Sequence, residues 1–500
     1  MRSFLSFIII GLLFGLSACR TDFDTVASSG QLVFSKDTVY LDTVFKNISS
    51  STYQLKVYNR SKNDINIPTI QLQNGLNSKY RMTVDGTTGT DGKLFNDITL
   101  LAKDSLYIFI EVTADVADAN PDTFLYTDKI LFDSGTNQQE VDLVTLIKDA
   151  VFLYPQKNSD GSKEKITIDG EEIEGFYLNE NDPINGNELI FTNEKPYVIY
   201  GYAAVPEDKT VQFQAGSRVY FHANSGLIVS KNATLQINGT TSTTEELENE
   251  VIFQGDRTEP LYNDIAGQWG NIRLTKDSKN HSINHLTLKN ATEGLYFENQ
   301  PTQANTIQNT QIYNCVNYGI LGTNSSIKGE NLVLNSAGRA VFAGYGGSYE
   351  MTHCTFNNNW SNASQKTVIL SNNSIDDASL TTELAHANFN NCIIYGTYIN
   401  ELSLLKNDNS AFNYKFNYCL IKTNNKNYAS DSEHFDSIIL NENPKFYNVQ
   451  KNQLNIDKSS SAFAKGNNSY LIPFDIIGQT RTLPPDLGAY QSSDFEKETN

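Results

Sequence analysis

The segment from Gln254 to Gly270 carries the densest group of side chains in the chain that could bind a ligand. It breaks a regular alternation of apolar residues and combines carboxylates, a guanidinium group and aromatic rings. These side chains are Asp256, Arg257, Tyr262, Asp264 and Trp269. Aromatic rings stack on the apolar faces of sugars, and charged groups hold hydroxyls. One interpretation of the segment is therefore a carbohydrate-binding loop.

A structural interpretation of the same loop competes with this prediction. Trp269 is one of two tryptophans in the chain and could cap a hydrophobic core beside Gly270, while Asp256 pairs with Arg257 to fix the loop. Loops carry much of the function of proteins, but ion pairs and buried aromatic rings also occur where a loop only supports the fold. We favour the structural interpretation and keep the five side chains as ligand-binding candidates.

Asp376 and Asp377 are adjacent carboxylates in a second irregular segment, residues 358–387. Two carboxylates at a defined separation act as acid and base in glycosidases, and acidic clusters hold calcium. The sequence supplies no partner for either aspartate, so we favour a surface loop. Both remain candidate ligand-binding residues.

The cysteines after residue 19 follow the strand pattern. Cys354, Cys392 and Cys419 occur in matching contexts that point them inward, whereas Cys315 occupies a different column. Such placement predicts buried free thiols rather than disulfides. His353 precedes Cys354 and is therefore expected to face outward.

Metal-ligand spacing is not found in this sequence. His281 and His285 are four residues apart on a strand, which separates them by about 13 Å, too far to share a metal ion. Inward-pointing cysteines one repeat apart lack the tetrahedral geometry that zinc requires. We predict no metal and no cofactor, and we assign no catalytic residue.

The first 18 residues predict export. Arg2 precedes a mostly apolar run that is too short for a comfortable membrane span and ends in Leu-Ser-Ala before Cys19. This ending resembles the lipobox of bacterial lipoproteins, which implies lipidation of Cys19 and a membrane partner. Arg20, rather than Asp, follows the cysteine, and by analogy this implies the outer membrane. The alternative is a simple cleaved signal peptide with a chance cysteine.

A repeat of about 22 residues must position these candidates. Between Ser282 and Asn358, four segments share an apolar opening, an alternating strand and a closing asparagine. The openings are Ile283, Ile307, Ile327 and Tyr349, and the asparagines are Asn290, Asn314, Asn335 and Asn357. Asparagine tolerates a left-handed turn, and its amide can bond to a copy in the next repeat. The pattern predicts a right-handed parallel β-helix with one asparagine column.

Residues 19–150 alternate like an antiparallel domain, with about seven short strands separated by polar turns. This spacing predicts an immunoglobulin-like β-sandwich that acts as a spacer and interaction module. Residues 151–195 show little periodicity and are expected to form a junction that caps the repeat domain. The β-helix is expected to begin at Pro196 and to end at residue 491, before a tail at 492–500.

The C-terminal region contains a family pattern. Asn443-Pro444, Gly466 and Asp486-Leu-Gly-Ala-Tyr490 resemble the terminal rungs of bacterial proteins of the pectate-lyase-like solenoid superfamily. The resemblance implies a right-handed parallel β-helix over residues 196–491, closed by the last strand. That superfamily includes polysaccharide lyases, hydrolases, epimerases and non-catalytic adhesins, so fold does not choose among them.

Charge and domain order narrow the function. The chain has 38 basic and 57 acidic residues and a net charge of −19, which disfavours nucleic-acid partners. We expect a cell-envelope lipoprotein with a non-catalytic surface that binds polysaccharide or an envelope protein along the solenoid. The alternative is a carbohydrate-active enzyme, a polysaccharide lyase or glycoside hydrolase, with a groove between residues 256–270 and 358–387.

Overall fold

The computed structural model describes residues 24–120, 124–302, 305–361, 364–375, 377 and 380–495. Within these residues the protein is all-β, and helical residues occur only as short 3₁₀ turns. The turns are Gly75–Asn77, Val116–Asp118, Gly135–Asn137, Pro260–Tyr262, Lys426–Ala429, Val449–Lys451 and Asn468–Tyr470. The chain divides into two compact units between Asp149 and Ala150.

The N-terminal unit contains two sheets in its described part. The larger sheet comprises Val26–Ala27, Thr38–Phe45, Ile65–Leu72, Leu94–Leu100, Leu125–Phe132 and Gln139–Lys148. The smaller sheet comprises Val33–Phe34, Tyr53–Tyr58, Tyr80–Val84 and Ser105–Val112. All pairings in the smaller sheet are antiparallel, whereas Thr38–Phe45 pairs in parallel with Gln139–Lys148.

One hydrophobic core joins the two sheets. Leu55 and Ile108 from the smaller sheet and Ile130 and Leu143 from the larger one belong to the same buried cluster. Burial alternates along Ser105–Val112, because successive strand side chains point to opposite faces. Every second residue of that strand therefore faces away from the core.

The C-terminal unit is built from two long sheets. The first has eleven strands, all parallel: Val151–Leu153, Tyr197–Ile199, Arg218–Phe221, Val251–Gly255, Leu286–Lys289, Gln311–Cys315, Val333–Ala337, Thr355–Asn358, Ile393–Gly396, Leu420–Ile421 and Ile439–Leu440.

The second sheet has eighteen strands among the described residues. They are Lys165–Ile168, Glu171–Tyr177, Ile190–Phe191, Tyr202–Val205, Thr210–Gln214, Gly226–Val229, Thr234–Asn238, Ile272–Leu274, Ser282–Asn284, Leu295–Glu298, Asn305–Gln308, Tyr318–Glu330, Ala340–Thr352, Lys366–Ser371, Leu384–Asn390, Leu402–Leu405, Lys415–Asn417 and Phe435–Asp436. Apart from the antiparallel pair Lys165–Ile168 and Glu171–Tyr177, it consists of two runs of parallel pairing, which join at the long strands Tyr318–Glu330 and Ala340–Thr352.

Successive repeats stack strand upon strand. Leu288, Ile312, Leu334 and Phe356 are register partners in the first sheet, as the sequence frame predicts. Among the opening residues, Ile283 pairs with Ile307 and Ile327 pairs with Tyr349, as predicted. Between these two pairs the register is shifted by two residues, because Ile307 pairs with Gly329 rather than with Ile327. This architecture of long parallel sheets is consistent with a parallel β-helix.

The predicted single asparagine column is wrong in its register. Asn290 and Asn314 both adopt left-handed backbone conformations, and the amide of Asn314 donates to Asn290 Oδ1 at 3.3 Å. Asn335 lies one position earlier, opposite Tyr313, so Ser336 takes the left-handed turn (φ 59°). Asn357 donates to Asn335 Oδ1 at 2.8 Å, which makes two separate pairs.

A second turn column carries the longer polar ladder. It joins the second sheet to the first at single left-handed residues. These residues are His285, Asn309, Asn331, His353, Asn391 and Tyr418. The Asn331 amide donates to Asn309 Oδ1 at 2.9 Å, and the Asn309 amide donates to Asn284 Oδ1 at 3.0 Å. The alignment of the four sequence repeats did not predict this column.

Parallel pairing begins earlier than the sequence indicates. Val151–Leu153, placed in the predicted junction, already pairs with Tyr197–Ile199. The hairpin formed by Lys165–Ile168 and Glu171–Tyr177 lies at one edge of the second sheet. A cross-strand pair of Lys165 and Glu172 (3.0 Å) places charges there, which discourages association with other strands.

Residues 441–495, here called the C-terminal strap, do not form the predicted closing strand. They lie across the outer face of the eleven-stranded sheet, where Leu487 packs with Ile393 and Leu420. The Ala489 N–H donates to Thr355 Oγ1 at 2.9 Å. Gly488 (φ +86°) is required there, because a Cβ would lie 2.5 Å from Thr355 Oγ1.

The strap also corrects the prediction for His353. Its side chain is buried rather than outward-facing, because the strap covers it: Nδ1 lies 3.3 Å from the Gly488 carbonyl oxygen and Nε2 lies 3.0 Å from the Asn391 amide. Burial lowers the pKa of His353 to about 2, so it is a neutral structural group.

Candidate functional site

The loop from 256 to 270 follows the strand Val251–Gly255 and is tied to the body of the C-terminal unit. The Gln268 amide donates to the Tyr262 carbonyl oxygen at 2.6 Å and to that of Ile265 at 2.9 Å. The Asn290 amide donates to the Asn263 carbonyl oxygen at 2.9 Å. The turn asparagine of the repeat therefore braces the loop.

Trp269 is a core residue. Its ring stacks on Phe221 with centroids 4.4 Å apart and planes 13° apart, and its Nε1 donates to the Lys289 carbonyl oxygen at 2.9 Å. Only 1% of its surface is exposed. The structural interpretation of Trp269 is correct, and its assignment as a sugar-stacking residue is wrong.

Asp256 pairs with His222 rather than with Arg257. The two side chains follow register-paired strands, Phe221 opposite Gly255, which brings His222 Nδ1 to 2.7 Å from Asp256 Oδ2. This hydrogen bond raises the pKa of His222, because it favours the charged imidazolium.

Tyr200 extends this group by one repeat. Its ring centroid lies 4.5 Å from that of His222. Burial, with the nearby Asp256 carboxylate, raises the pKa of Tyr200 to about 12. The sequence reasoning missed His222 and Tyr200, although each immediately follows a strand of the same sheet as Asp256. A half-exposed imidazole held by a carboxylate can transfer a proton.

Arg257 turns back onto the loop itself. Its Nε lies 3.3 Å from Glu259 Oε1, and its guanidinium carbon lies 3.8 Å from the centroid of the Tyr262 ring. One face of Tyr262 is thereby covered. Leu261 and Ile265 remain 77% and 44% exposed, so the tip of the loop is aliphatic.

Two further candidates, Asp264 and Asp377, form hydrogen bonds with other groups. Asp264 is exposed and accepts a long hydrogen bond, 3.4 Å, from the Asn314 amide. Asp377 is exposed, and its carbonyl oxygen accepts a hydrogen bond from the Leu380 N–H at 2.9 Å. Asp376 and Cys19 lie outside the described residues.

The four cysteines in the described part of the chain are free and buried, as predicted. They are Cys315, Cys354, Cys392 and Cys419. Among the described residues, no group of three His, Cys, Asp or Glu side chains has the arrangement of a metal site. Within the same ranges, no helix has both the length and the apolar character needed to cross a bilayer.

No protein-family model and no curated protein matches this chain. Among solved structures, it is similar to a family 123 glycoside hydrolase from Clostridium perfringens, with 8% identity and a TM-score of 0.17 over 25% of this chain and 30% of that chain. It is also similar to PapD-like domain 7 of human CEP192, with 10% identity and a TM-score of 0.15 over 26% and 94%. The chain thus spans under a third of the hydrolase. Likenesses at these scores carry no argument about function.

Proposed function

We propose that the protein is a lipid-anchored cell-envelope protein that binds a partner through the 256–270 loop. In this proposal Cys19 carries the lipid at the outer membrane, the N-terminal unit is an immunoglobulin-like sandwich, and the C-terminal unit is a right-handed β-helix related to the pectate-lyase-like superfamily. The lipobox sequence and the parallel stacking of the strands support these assignments.

The braced, aliphatic tip of the loop is the observation that carries the binding function. Hydrogen bonds from Gln268 and Asn290 hold the loop backbone, and a preorganised loop loses little conformational entropy on binding. Leu261 and Ile265 present apolar surface beside the charges of Arg257 and Asp264. A protein partner therefore fits this loop better than a sugar, because Trp269 is buried and the Tyr262 ring is partly covered.

Site-specific photo-crosslinking in the source cells tests the loop. A photoreactive amino acid at Leu261 is expected to give a discrete crosslinked product, which Ile265→Asp in the same chain removes. Ile184, which is 87% exposed elsewhere in the C-terminal unit, is the matched control position. Equal products from both positions, or none from Leu261, would refute partner binding at this loop.

Membrane attachment is tested separately. Cys19→Ala is expected to move the protein from the membrane fraction to the soluble fraction after cell lysis, because two or three acyl chains provide the stable anchor. Retention of this variant in the membrane fraction would contradict the lipoprotein assignment without affecting the loop.

A carbohydrate-active enzyme is the second candidate, and the His222–Asp256 pair favours it. Polysaccharide lyases and glycoside hydrolases both need a proton donor or acceptor, which this pair provides at the surface. Incubation with a polysaccharide panel would then release unsaturated or reducing ends. His222→Ala and Asp256→Asn should abolish that release, and Asp377→Ala should not; absence of release from every polysaccharide removes this candidate.

A further inference from the structure

The outer face of the four-stranded sheet in the N-terminal unit presents aromatic residues in a polar frame. Tyr107, Phe109 and Glu111 alternate with core residues along Ser105–Val112, and their side chains point outward. Tyr107 and Phe109 are 40% and 41% exposed. Folding therefore leaves two large rings on the outer surface of this sheet.

The two rings are neighbours and nearly parallel. Their centroids are 6.2 Å apart and their planes differ by 16°. The Lys56 ammonium lies 5.0 Å from the Tyr107 centroid on the neighbouring strand. Aromatic faces carry partial negative charge and attract the weakly positive C–H groups of sugar rings.

Polar side chains surround Phe109 at register positions. Gln54 and Thr83 are its partners on the two neighbouring strands. In the next row Arg81 is opposite Glu111, with its Nε donating to Glu111 Oε2 at 3.0 Å. These groups supply the donors and acceptors that hydroxyls require.

The charged pair is held in place by hydroxyl groups. Thr52 Oγ1 donates to Glu111 Oε1 at 2.6 Å, and Arg81 Nη2 donates to Ser49 Oγ at 2.7 Å. The Thr52 hydrogen bond is the main cause that lowers the pKa of Glu111. The pair is thus ionised and oriented before any ligand arrives.

A cavity of about 580 Å³ opens on this face. Its lining includes Thr52, Arg81, Thr83, Asp91, Phe109 and Glu111. Ligand pockets in proteins have volumes of roughly 300–1,000 Å³ and combine apolar surface with a few placed polar groups. The size and lining therefore fit a short oligosaccharide.

We propose that this cavity is a binding site for a neutral oligosaccharide. One sugar ring stacks on Phe109, while hydroxyls bond to Glu111, Arg81 and Thr83. The charges favour a neutral ligand: Arg81 is already compensated by Glu111, and the Asp91 carboxylate in the lining repels anions. This site lies in the N-terminal unit and is independent of the 256–270 loop.

Calorimetric titration of the full chain with maltohexaose, cellohexaose and mannohexaose tests the proposal, with hexagalacturonate as the acidic comparison. At least one neutral probe should bind. Phe109→Ala should weaken that binding roughly tenfold or more, because truncating a central aromatic side chain removes a hot spot. Phe109→Tyr keeps the ring face and should retain binding.

Tyr40→Ala is the matched control, since Tyr40 is a 68% exposed aromatic residue on a strand of the other sheet. The Tyr40→Ala and Ile265→Asp variants should both bind the sugar with the affinity of the unmodified chain. Binding that survives Phe109→Ala, preferential binding of hexagalacturonate, or no binding of any neutral probe at millimolar concentration would overturn the proposal. None of these outcomes depends on the partner of the loop.

Discussion

Two aromatic positions, one in each unit, have opposite environments. In the C-terminal unit, Trp269 sits in the most unusual loop of the sequence and is stacked against Phe221 in the core. In the N-terminal unit, Tyr107 and Phe109 belong to an ordinary alternating strand and face outward. The unusual loop therefore contains an aromatic residue of the core, whereas a regular alternating strand contains the exposed rings on which we base the proposed sugar site.

The difference comes from the side of the backbone on which each ring emerges. Trp269 follows a glycine turn that returns the chain onto the stacked sheets, so its ring replaces water with core contacts. Phe109 alternates with the core residues Ile108 and Ile110, so the pleat directs it outward. The side of the backbone on which a ring lies, more than its residue type, decides whether the ring is buried in the core or exposed at the surface.

Truncating each ring gives the largest expected contrast. Trp269→Ala should lower the free energy of unfolding by about 3–5 kcal/mol, because it leaves a cavity and frees the Lys289 carbonyl oxygen. Phe109→Ala should change it by less than about 1 kcal/mol. Urea unfolding of both variants measures this; similar losses would break the contrast between a core ring and a surface ring.

Acid should weaken the C-terminal unit first, because burial lowers the pKa of three of its histidines, His281, His285 and His353. Burial lowers the pKa of His281 to about 3, while the unfolded chain binds that proton near pH 6.5. The stability is present above pH 6.5 and is lost as the pH falls toward 3. Between pH 7.5 and 4.5 we expect a loss of about 2 kcal/mol from this residue.

Variants of two histidines isolate that contribution. His281→Gln should flatten the dependence of the unfolding midpoint on pH, whereas His386→Gln, at an exposed position, should leave it as in the unmodified chain. The measurement is a series of thermal unfolding curves from pH 7.5 to 4.5. An unchanged slope in His281→Gln would show that other groups cause the acid sensitivity.

The polar ladder should matter more to stability than the polar frame of the N-terminal face. Asn331→Ala should lower the free energy of unfolding by about 2 kcal/mol, because it strains a left-handed turn and removes one of the two acceptors of the buried Arg481 Nη2 (2.8 Å). Gln54→Ala on the exposed face should cost less than about 0.5 kcal/mol. Asn331→Gly can adopt the left-handed turn without strain, so its free energy of unfolding should fall only by the contribution of the lost hydrogen bonds. Equal decreases in the Ala and Gly variants would exclude turn strain as a cause.

The smallest expected effect is a difference in the rate and number of cysteines that a thiol reagent labels. Burial raises the pKa of Cys315 to about 12, so its reactive thiolate is scarce and native labelling should be slow. After denaturation the four cysteines beyond residue 19 should react. A lipidated Cys19 would not add to that count, whereas a total of five thiols in the membrane-derived protein would contradict lipidation.

The sequence predicts the stacked interior well, because a period of about 22 residues repeats with two-residue alternation inside each strand. Leu288, Ile312 and Leu334 were correctly superposed, and Cys354 was correctly placed inside. Both features depend on local pattern. The asparagine register failed because Asn335 lies one residue earlier in its repeat than Asn314.

The parts that sequence reasoning missed depend on which strands become neighbours. His222 and Asp256 are 34 residues apart and meet only because their strands pair. The surroundings of Phe109 are likewise supplied by two other strands, so the alternation that exposes Phe109 does not reveal Arg81 or Thr83. The prediction of a closing strand in the strap was wrong, because the last residues of the strap alternate as they would in a strand but do not form one.

The strap imposes an order on biosynthesis. Whether the chain leaves a ribosome or crosses a membrane with its N-terminus first, the strands that carry Val333, Ile393 and Leu420 emerge before Leu454 and Leu487, which cover them. Until then the outer face of the eleven-stranded sheet exposes apolar side chains to water. A chaperone that recognises apolar surface can bind to this face. Chains interrupted before residue 441 should therefore be cleared by proteases sooner than finished ones.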